Sequence, residues 1–127
     1  MNAFLLVGAG GALGAMGRYG VGVLVGRMGV TGFPFATLIV NIAGSLAMGL
    51  LVGLLAKLLP TWQNEARLFV AVGLLGGFTT FSAFSLDAIA LLERGQMGQA
   101  LVYVSFSVVL SILALFAGLL FMRGLPL

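Results

Sequence analysis

Residues 76–85 of the chain read Gly-Gly-Phe-Thr-Thr-Phe-Ser-Ala-Phe-Ser, and they lie inside a charge-free run from Leu68 to Leu86. Adjacent glycines and adjacent β-branched threonines both weaken an α-helix. The run has 19 residues. Continued to Leu92 it is long enough to cross a bilayer, which needs about 20 apolar residues. The sequence therefore predicts a membrane-spanning helix over about residues 68–92 that is broken near mid-membrane, around residue 80.

Three other segments of the chain are long and poor in charge. The runs 28–56 and 95–122 contain no charged residue, and the first segment is interrupted only by Arg18. No basic residue precedes the first apolar run, so we expect a retained helix and not a signal peptide. The sequence predicts an all-α integral membrane protein, one domain over residues 1–127, with four transmembrane helices at about 4–26, 33–56, 68–92 and 98–122.

The composition supports this class and excludes others. Hydrophobic residues make up 61% of the chain and charged residues 7%, against about 45–50% and 25% in soluble domains. The chain has no Cys and no His, which excludes disulfides, thiolate or imidazole metal sites and nucleophiles activated by His. The net charge of +3 is too small to indicate a nucleic-acid partner. We expect that the protein is not an enzyme.

Basic residues are nearly balanced between the two sides of the predicted bundle. Lys57, Arg67 and Arg123 fall on one side, and Arg27 and Arg94 on the other. Because the positive-inside rule needs a bias to choose an orientation, this balance predicts insertion in both directions. We hypothesise a dual-topology antiparallel homodimer, which would supply the inverted symmetry that transporter folds commonly obtain from internal repeats.

Polar residues within the spans form two stripes at helical spacing, i, i+4 and i+8. Every member can donate a hydrogen bond, and none is acidic. The alternative is that the hydroxyls bond their own helix and that the amide joins two helices. Asp87, near a span end, is expected to be a solvated or capping acid. The stripes are Thr37, Asn41 and Ser45 in the second span and Tyr103, Ser107 and Ser111 in the fourth.

Phe81 and Phe84 lie one turn apart after the predicted break. Phenyl rings are positive at their edges, so rings that present their edges to a pathway favour a small anion; the alternative is a pair of core aromatics. A break at mid-membrane also frees carbonyl oxygens, which suit a hard cation such as Na⁺. Rings, neutral donors and the lack of carboxylates along the stripes together indicate an anion pathway.

Three segments carry a resemblance to a known family: residues 11–19, 37–45 and, most specifically, 76–85. Over essentially its whole length the chain resembles the Fluc fluoride channels, also called CrcB proteins. The resemblance implies a multi-pass protein of the bacterial inner membrane that exports fluoride passively and relieves fluoride toxicity. It also implies an antiparallel dimer with two pores and a central structural Na⁺. The implied partners are fluoride, a second copy and membrane lipid, with no nucleic acid.

The family's functional positions transfer residue by residue. Gly76 and Thr79 would hold Na⁺ through their backbone carbonyls. Asn41 would be the pore amide, and Arg18 would lie near a pore entrance. The implied fluoride pathway comprises Arg18, Thr37, Asn41, Ser45, Phe81, Ser82, Phe84, Ser85, Tyr103, Ser107 and Ser111.

Two other functions remain open at this point. One is a small multidrug resistance transporter, which is also a four-helix antiparallel dimer. Resemblance to that family would imply proton-coupled exchange at a glutamate in the first helix. The first span here has Arg18 as its only charge. A non-transporting membrane assembly subunit would use the polar stripes only to hold helices together.

Overall fold

The structure, a computed structural model, describes residues 2–30 and 32–126. This part of the chain is helical, has no strand, and contains four helical segments long and apolar enough to cross a membrane. The predicted all-α class and the number of membrane-capable helices are therefore confirmed. The segments are α1 (Ala3–Arg27), α2 (Phe35–Leu58), a third made of α3 (residues 63–78) and α4 (Phe81–Glu93), and α5 (Met97–Arg123).

The third segment changes its helical form twice. Helix α3 starts as an α-helix at Gln63–Ala66, widens into a π-helix at Arg67–Leu75 and returns to α at Gly76–Phe78. Thr79 and Thr80 then have extended backbones, with φ and ψ of −88° and 159° and of −155° and 121°. The interruption falls within the stretch where glycines and threonines weaken the helix.

Helix α4 begins with a side-chain cap. The hydroxyl of Thr80 accepts a hydrogen bond from the N–H of Ala83 at 3.1 Å. Such a cap satisfies one of the N–H groups that the first turn of a helix leaves without a partner. The second threonine therefore both ends the extended segment and starts the next helix.

Glycines set how closely the helices approach one another. Helix α5 packs mainly on α2, and α1 packs on α3. A Cβ atom at Gly14 would overlap the carbonyl oxygen of Leu74 in α3, and one at Gly49 would overlap that of Leu115 in α5. These contacts place backbone directly against backbone, as small residues four apart allow in lipid.

The spacing rule holds for three of the four glycine pairs in the chain. Gly10 and Gly14, Gly49 and Gly53, and Gly73 and Gly77 all lie against a neighbouring helix. Gly22 and Gly26 have spacing of the same kind, but a Cβ at either would meet nothing within 4 Å. That last pair therefore contacts no neighbouring helix among the described residues.

We expect Gly14→Ala to destabilise the protein by about 1–3 kcal/mol, because the added methyl would force α1 away from α3. Gly26→Ala, the matched change on the same helix, is expected to be neutral or slightly stabilising, because its methyl enters open space. Unfolding followed by the fluorescence of Trp62, the only tryptophan, measures both. Equal losses in the two variants would contradict the assigned packing.

Candidate functional site

Asn41 of α2 holds the interruption in the third segment. Its side-chain oxygen accepts a hydrogen bond from the N–H of Thr80 at 2.8 Å, and its side-chain nitrogen donates to the carbonyl of Thr80 at 3.1 Å. One amide thus satisfies both backbone groups of a residue that the helices leave out. Because an amide nitrogen has two hydrogens, one donor of Asn41 remains for another acceptor.

Arg18 of α1 contacts the same region from the opposite side. Its Nε donates to the carbonyl of Gly77 at 3.1 Å, and the side chain is half-buried. The interruption is therefore held at residue 77 by one helix and at residue 80 by another.

Four consecutive carbonyls, those of residues 76–79, lose their α-helical donors at the interruption. In a continuous α-helix the N–H of Thr80 would bond the carbonyl of Gly76, and that of Ala83 would bond the carbonyl of Thr79. Here the first N–H donates to Asn41 and the second to the hydroxyl of Thr80. The carbonyl of Gly77 has a replacement donor in Arg18, whereas those of Gly76, Phe78 and Thr79 are left without a helical donor. The resemblance assigns Na⁺ to the first and the last of these three.

A cavity of about 410 Å³ lies beside the interruption. None of the residues that line it is charged. The side-chain oxygens of Ser107 and Ser111 are buried and have no hydrogen-bond partner among the described residues. Buried polar groups without partners are uncommon and costly, so two on one wall indicate a site for a ligand or water. The lining includes Asn41, Ser45, Thr79, Thr80, Phe81, Phe84, Ser107 and Ser111.

Phe81 and Phe84 both line this cavity, but their environments differ. Their ring centroids are 5.4 Å apart and the ring planes are tilted by 48°. Phe84 is 9% exposed within the single chain, whereas Phe81 is 78% exposed. The cavity therefore has one buried aromatic wall and one that faces outward from the chain.

Tyr103 is the first member of the polar stripe on α5, but its contacts differ from those of the two serines, which line the cavity. It is completely buried, and its hydroxyl donates to a carboxylate oxygen of Asp87 at 3.1 Å. Its ring packs against Phe84 with centroids 5.3 Å apart. Asp87 is half-buried and accepts this bond from a buried tyrosine, a contact that the expectation of a solvated or capping acid did not include.

The remaining predicted site residues lie around this cavity or bond locally. Thr37 and Arg18 line a second cavity of about 330 Å³, and Thr80 lines both cavities. Ser85 donates to the carbonyl of Phe81 in its own helix at 3.0 Å. Ser82 lies 3.2 Å from the hydroxyl of Thr80. The structure thus brings together Asn41, Ser45, both phenylalanines and two serines, and it places Thr37, Arg18, Ser82, Ser85 and Tyr103 next to them.

Sequence reasoning did not single out Thr80 as a site residue. It is the residue that both cavities share, and it bonds Asn41 through its backbone and Ala83 through its hydroxyl. Its position directly before the segment that starts at Phe81 was the available signal, because the residue that precedes the first turn of a helix is commonly a threonine or serine.

Comparison with known proteins places this geometry in a family. A family model for CrcB-like proteins, described as Camphor Resistance (CrcB), matches residues 5–119. A protein of Hyphomonas neptunium named "Fluoride-specific ion channel FluC" is 55% identical over 119 residues, which are 94% of each chain. Proteins with the same name are 56% identical in Paracoccus denitrificans, over 98% of this chain and 97% of the relative, and 52% identical in Rhodospirillum centenum, over 97% of each.

These relatives are named as ion channels, which agrees with the prediction that the chain is not an enzyme. The family model covers the first three spans and most of the fourth, including all three motifs that carry the resemblance. The chain therefore belongs to the CrcB family.

Proposed function

We propose that this chain forms a fluoride-selective channel through which fluoride leaves the cytoplasm passively, relieving its toxicity. The observation that carries the proposal is the uncharged cavity beside the interruption, where two buried serine hydroxyls have no partner. The names of the relatives support fluoride as the ion. Four membrane-capable helices support a multi-pass membrane protein, and we propose the bacterial inner membrane as its location.

The chemistry of the cavity suits fluoride. Fluoride is small, strongly hydrated and a strong hydrogen-bond acceptor, so a file of hydroxyl and amide donors can replace its water. A larger ion such as chloride fits a narrow donor-lined route less well, which is how pore selectivity generally arises. Because no fixed charge lines the cavity, binding stays weak enough for release.

A second, oppositely oriented copy would complete the pathway. Phe81 lines the cavity yet is 78% exposed in the single chain. An aromatic ring at a site normally packs against something, so its exposure supports coverage by another surface. Together with the balanced basic residues, this supports an antiparallel homodimer with two equivalent pores, one for each copy of the cavity.

A structural Na⁺ fits the interruption of the third segment, which we propose lies near the middle of the membrane. The carbonyls of Gly76 and Thr79 lack their helical donors, because Thr80 and Ala83 donate elsewhere. Neutral backbone oxygens in an unwound segment are typical ligands for Na⁺ in membrane proteins. The bound ion would add positive potential near the anion route, and the same two carbonyls from each chain would hold it.

The proposal is tested by efflux from proteoliposomes that contain the purified protein, with a fluoride electrode and with chloride as the control anion. We expect rapid fluoride efflux and little chloride efflux, and weaker fluoride efflux when Na⁺ is replaced by a large organic cation. Absence of fluoride efflux, or equal rates for both anions, would reject the channel. Proton-driven exchange of organic cations would indicate the multidrug transporter, and no transport would indicate an assembly subunit.

Phe81→Ile and Phe84→Ile should each lower fluoride flux by about tenfold or more, because both remove a ring edge from the cavity. Phe116→Ile, a change of the same kind on α5 at a position outside the cavity lining, serves as the matched control and should conduct like the native protein. Size-exclusion chromatography checks that the assembly is unchanged. Undiminished flux in both cavity variants would assign the two rings to packing alone.

Ser107→Ala and Ser111→Ala should reduce flux while leaving the free energy of unfolding unchanged or raised by up to about 1 kcal/mol, because each removes a buried hydroxyl without a partner. Asn41→Ala should reduce flux and also cost about 1–3 kcal/mol, because it abolishes both bonds to Thr80. Flux and unfolding are measured on the same preparations. Large stability losses in the serine variants would indicate that their hydroxyls are structural.

A further inference from the structure

We infer that Arg18 is a positioning residue, which fixes the helix interruption by holding the carbonyl of Gly77, and that it does not serve as a fluoride ligand. The observation is the hydrogen bond from its Nε to that carbonyl at 3.1 Å. The effect on flux rests on the proposed function, whereas the effect on the backbone does not. The inference differs from the role near a pore entrance that the resemblance implies.

Gly77 lies between Gly76 and Thr79, the two residues whose carbonyls are proposed to hold Na⁺. Its helical donor would be the N–H of Phe81, which starts the next helix after an extended segment. Arg18 supplies a donor in its place, and the side-chain amide of Asn41 bonds both the N–H and the carbonyl of Thr80. With residues 77 and 80 both held, the position and direction of the intervening backbone are fixed.

The identity of the donor atom distinguishes positioning by a hydrogen bond from an effect of the positive charge of Arg18. The bond is made by Nε, within the side chain, and not by a terminal nitrogen. Glutamine carries its amide nitrogen on Cδ, at the same place along the side chain, but has no charge. Lysine keeps the charge but has a carbon, Cε, where arginine has Nε. The two substitutions therefore separate the donor from the charge.

The chain offers a selective probe of the Gly77 carbonyl. Only two glycines are followed by phenylalanine, Gly77 and Gly32. Labelling glycine with carbonyl ¹³C and phenylalanine with ¹⁵N therefore gives two correlated signals in solid-state NMR of the protein in lipid. The carbonyl of Gly32 accepts a hydrogen bond from Arg94 at 2.7 Å, so the second signal reports an equivalent bond elsewhere in the chain.

Arg18→Lys and Arg18→Met should move the Gly77 carbonyl signal to lower ¹³C shift, because the hydrogen bond is lost, and leave the Gly32 signal in place. Arg18→Gln should keep both signals near their native positions. Arg94→Gln, the matched control, should leave the Gly77 signal unmoved. A Gly77 signal that stays in place in Arg18→Lys and Arg18→Met would overturn the inference.

Fluoride flux over a range of fluoride concentrations gives the second readout. Arg18→Lys and Arg18→Met should lower the maximal flux by about tenfold or more, with the half-saturating concentration unchanged within about twofold, because a misplaced backbone impairs the route and not the encounter. Arg18→Gln should retain most of the flux. Native flux in the methionine variant, which has neither the donor nor the charge, or loss of flux in the glutamine variant, which keeps a donor, would overturn the inference.

The two readouts keep the inference separate from the proposed function. If the native protein passes no fluoride, the proposed function fails, and the Gly77 signal alone still decides whether Arg18 holds the backbone. If the native protein passes fluoride and the Gly77 signal does not depend on Nε, the channel stands and the positioning role is rejected.

Discussion

An interruption in a helix leaves backbone N–H and C=O groups without their helical partners, and in lipid each unsatisfied group would cost several kcal/mol. This constraint governs the structure around Thr79 and Thr80. The backbone of Thr80 is bonded twice by one amide, and the carbonyl of Gly77 is bonded by one guanidinium. The two polar side chains come from different helices, so the interrupted segment is held in this form by contacts with both α1 and α2.

Glycine packing provides that arrangement. Backbone contact at Gly14 and Gly77 brings α1 against α3, which allows Arg18, one turn further along, to reach the interruption. In α2, Gly44 lies one turn after Asn41. The methyl group of Thr79, from the interruption, fills the space that a Cβ on Gly44 would occupy. Small residues at the contacts and polar residues at the next turn therefore act together, and the cavity forms where these helices meet α5.

The sequence was sufficient to predict the four membrane-capable helices, because long charge-free runs are a direct consequence of the hydrocarbon core. It also pointed to the two threonines, since their weak helical preference is a local property. The π-helical stretch Arg67–Leu75 was not predictable, because the apolar pattern is similar for either ring size. Gly22 and Gly26 have the same spacing as the packed glycine pairs but meet no neighbour in the single chain, because spacing identifies a surface that permits contact and only the fold decides whether a neighbour lies there.

The polar stripes show the same limit at the candidate site. Helical spacing correctly grouped Ser107 and Ser111, which share one cavity wall. It also grouped Tyr103 with them, although the longer side chain of that residue reaches Asp87. Spacing predicts which face of a helix a side chain lies on. The length of the side chain and the nearest acceptor determine which group its polar atom bonds.

The π-helical segment has a consequence for how this protein tolerates variation in length. A π-turn accommodates an extra residue compared with an α-turn, so deleting one residue between 67 and 75 would allow ordinary helical winding. Residues beyond the deletion would then keep nearly their present direction around the helix axis, because only the extra residue of a wide turn is lost. In an ordinary α-helix the same deletion would rotate every later residue by about 100° and turn the glycines that touch α1 away from it. A single deletion should therefore be tolerated better within this segment than in an ordinary helix of the same polarity.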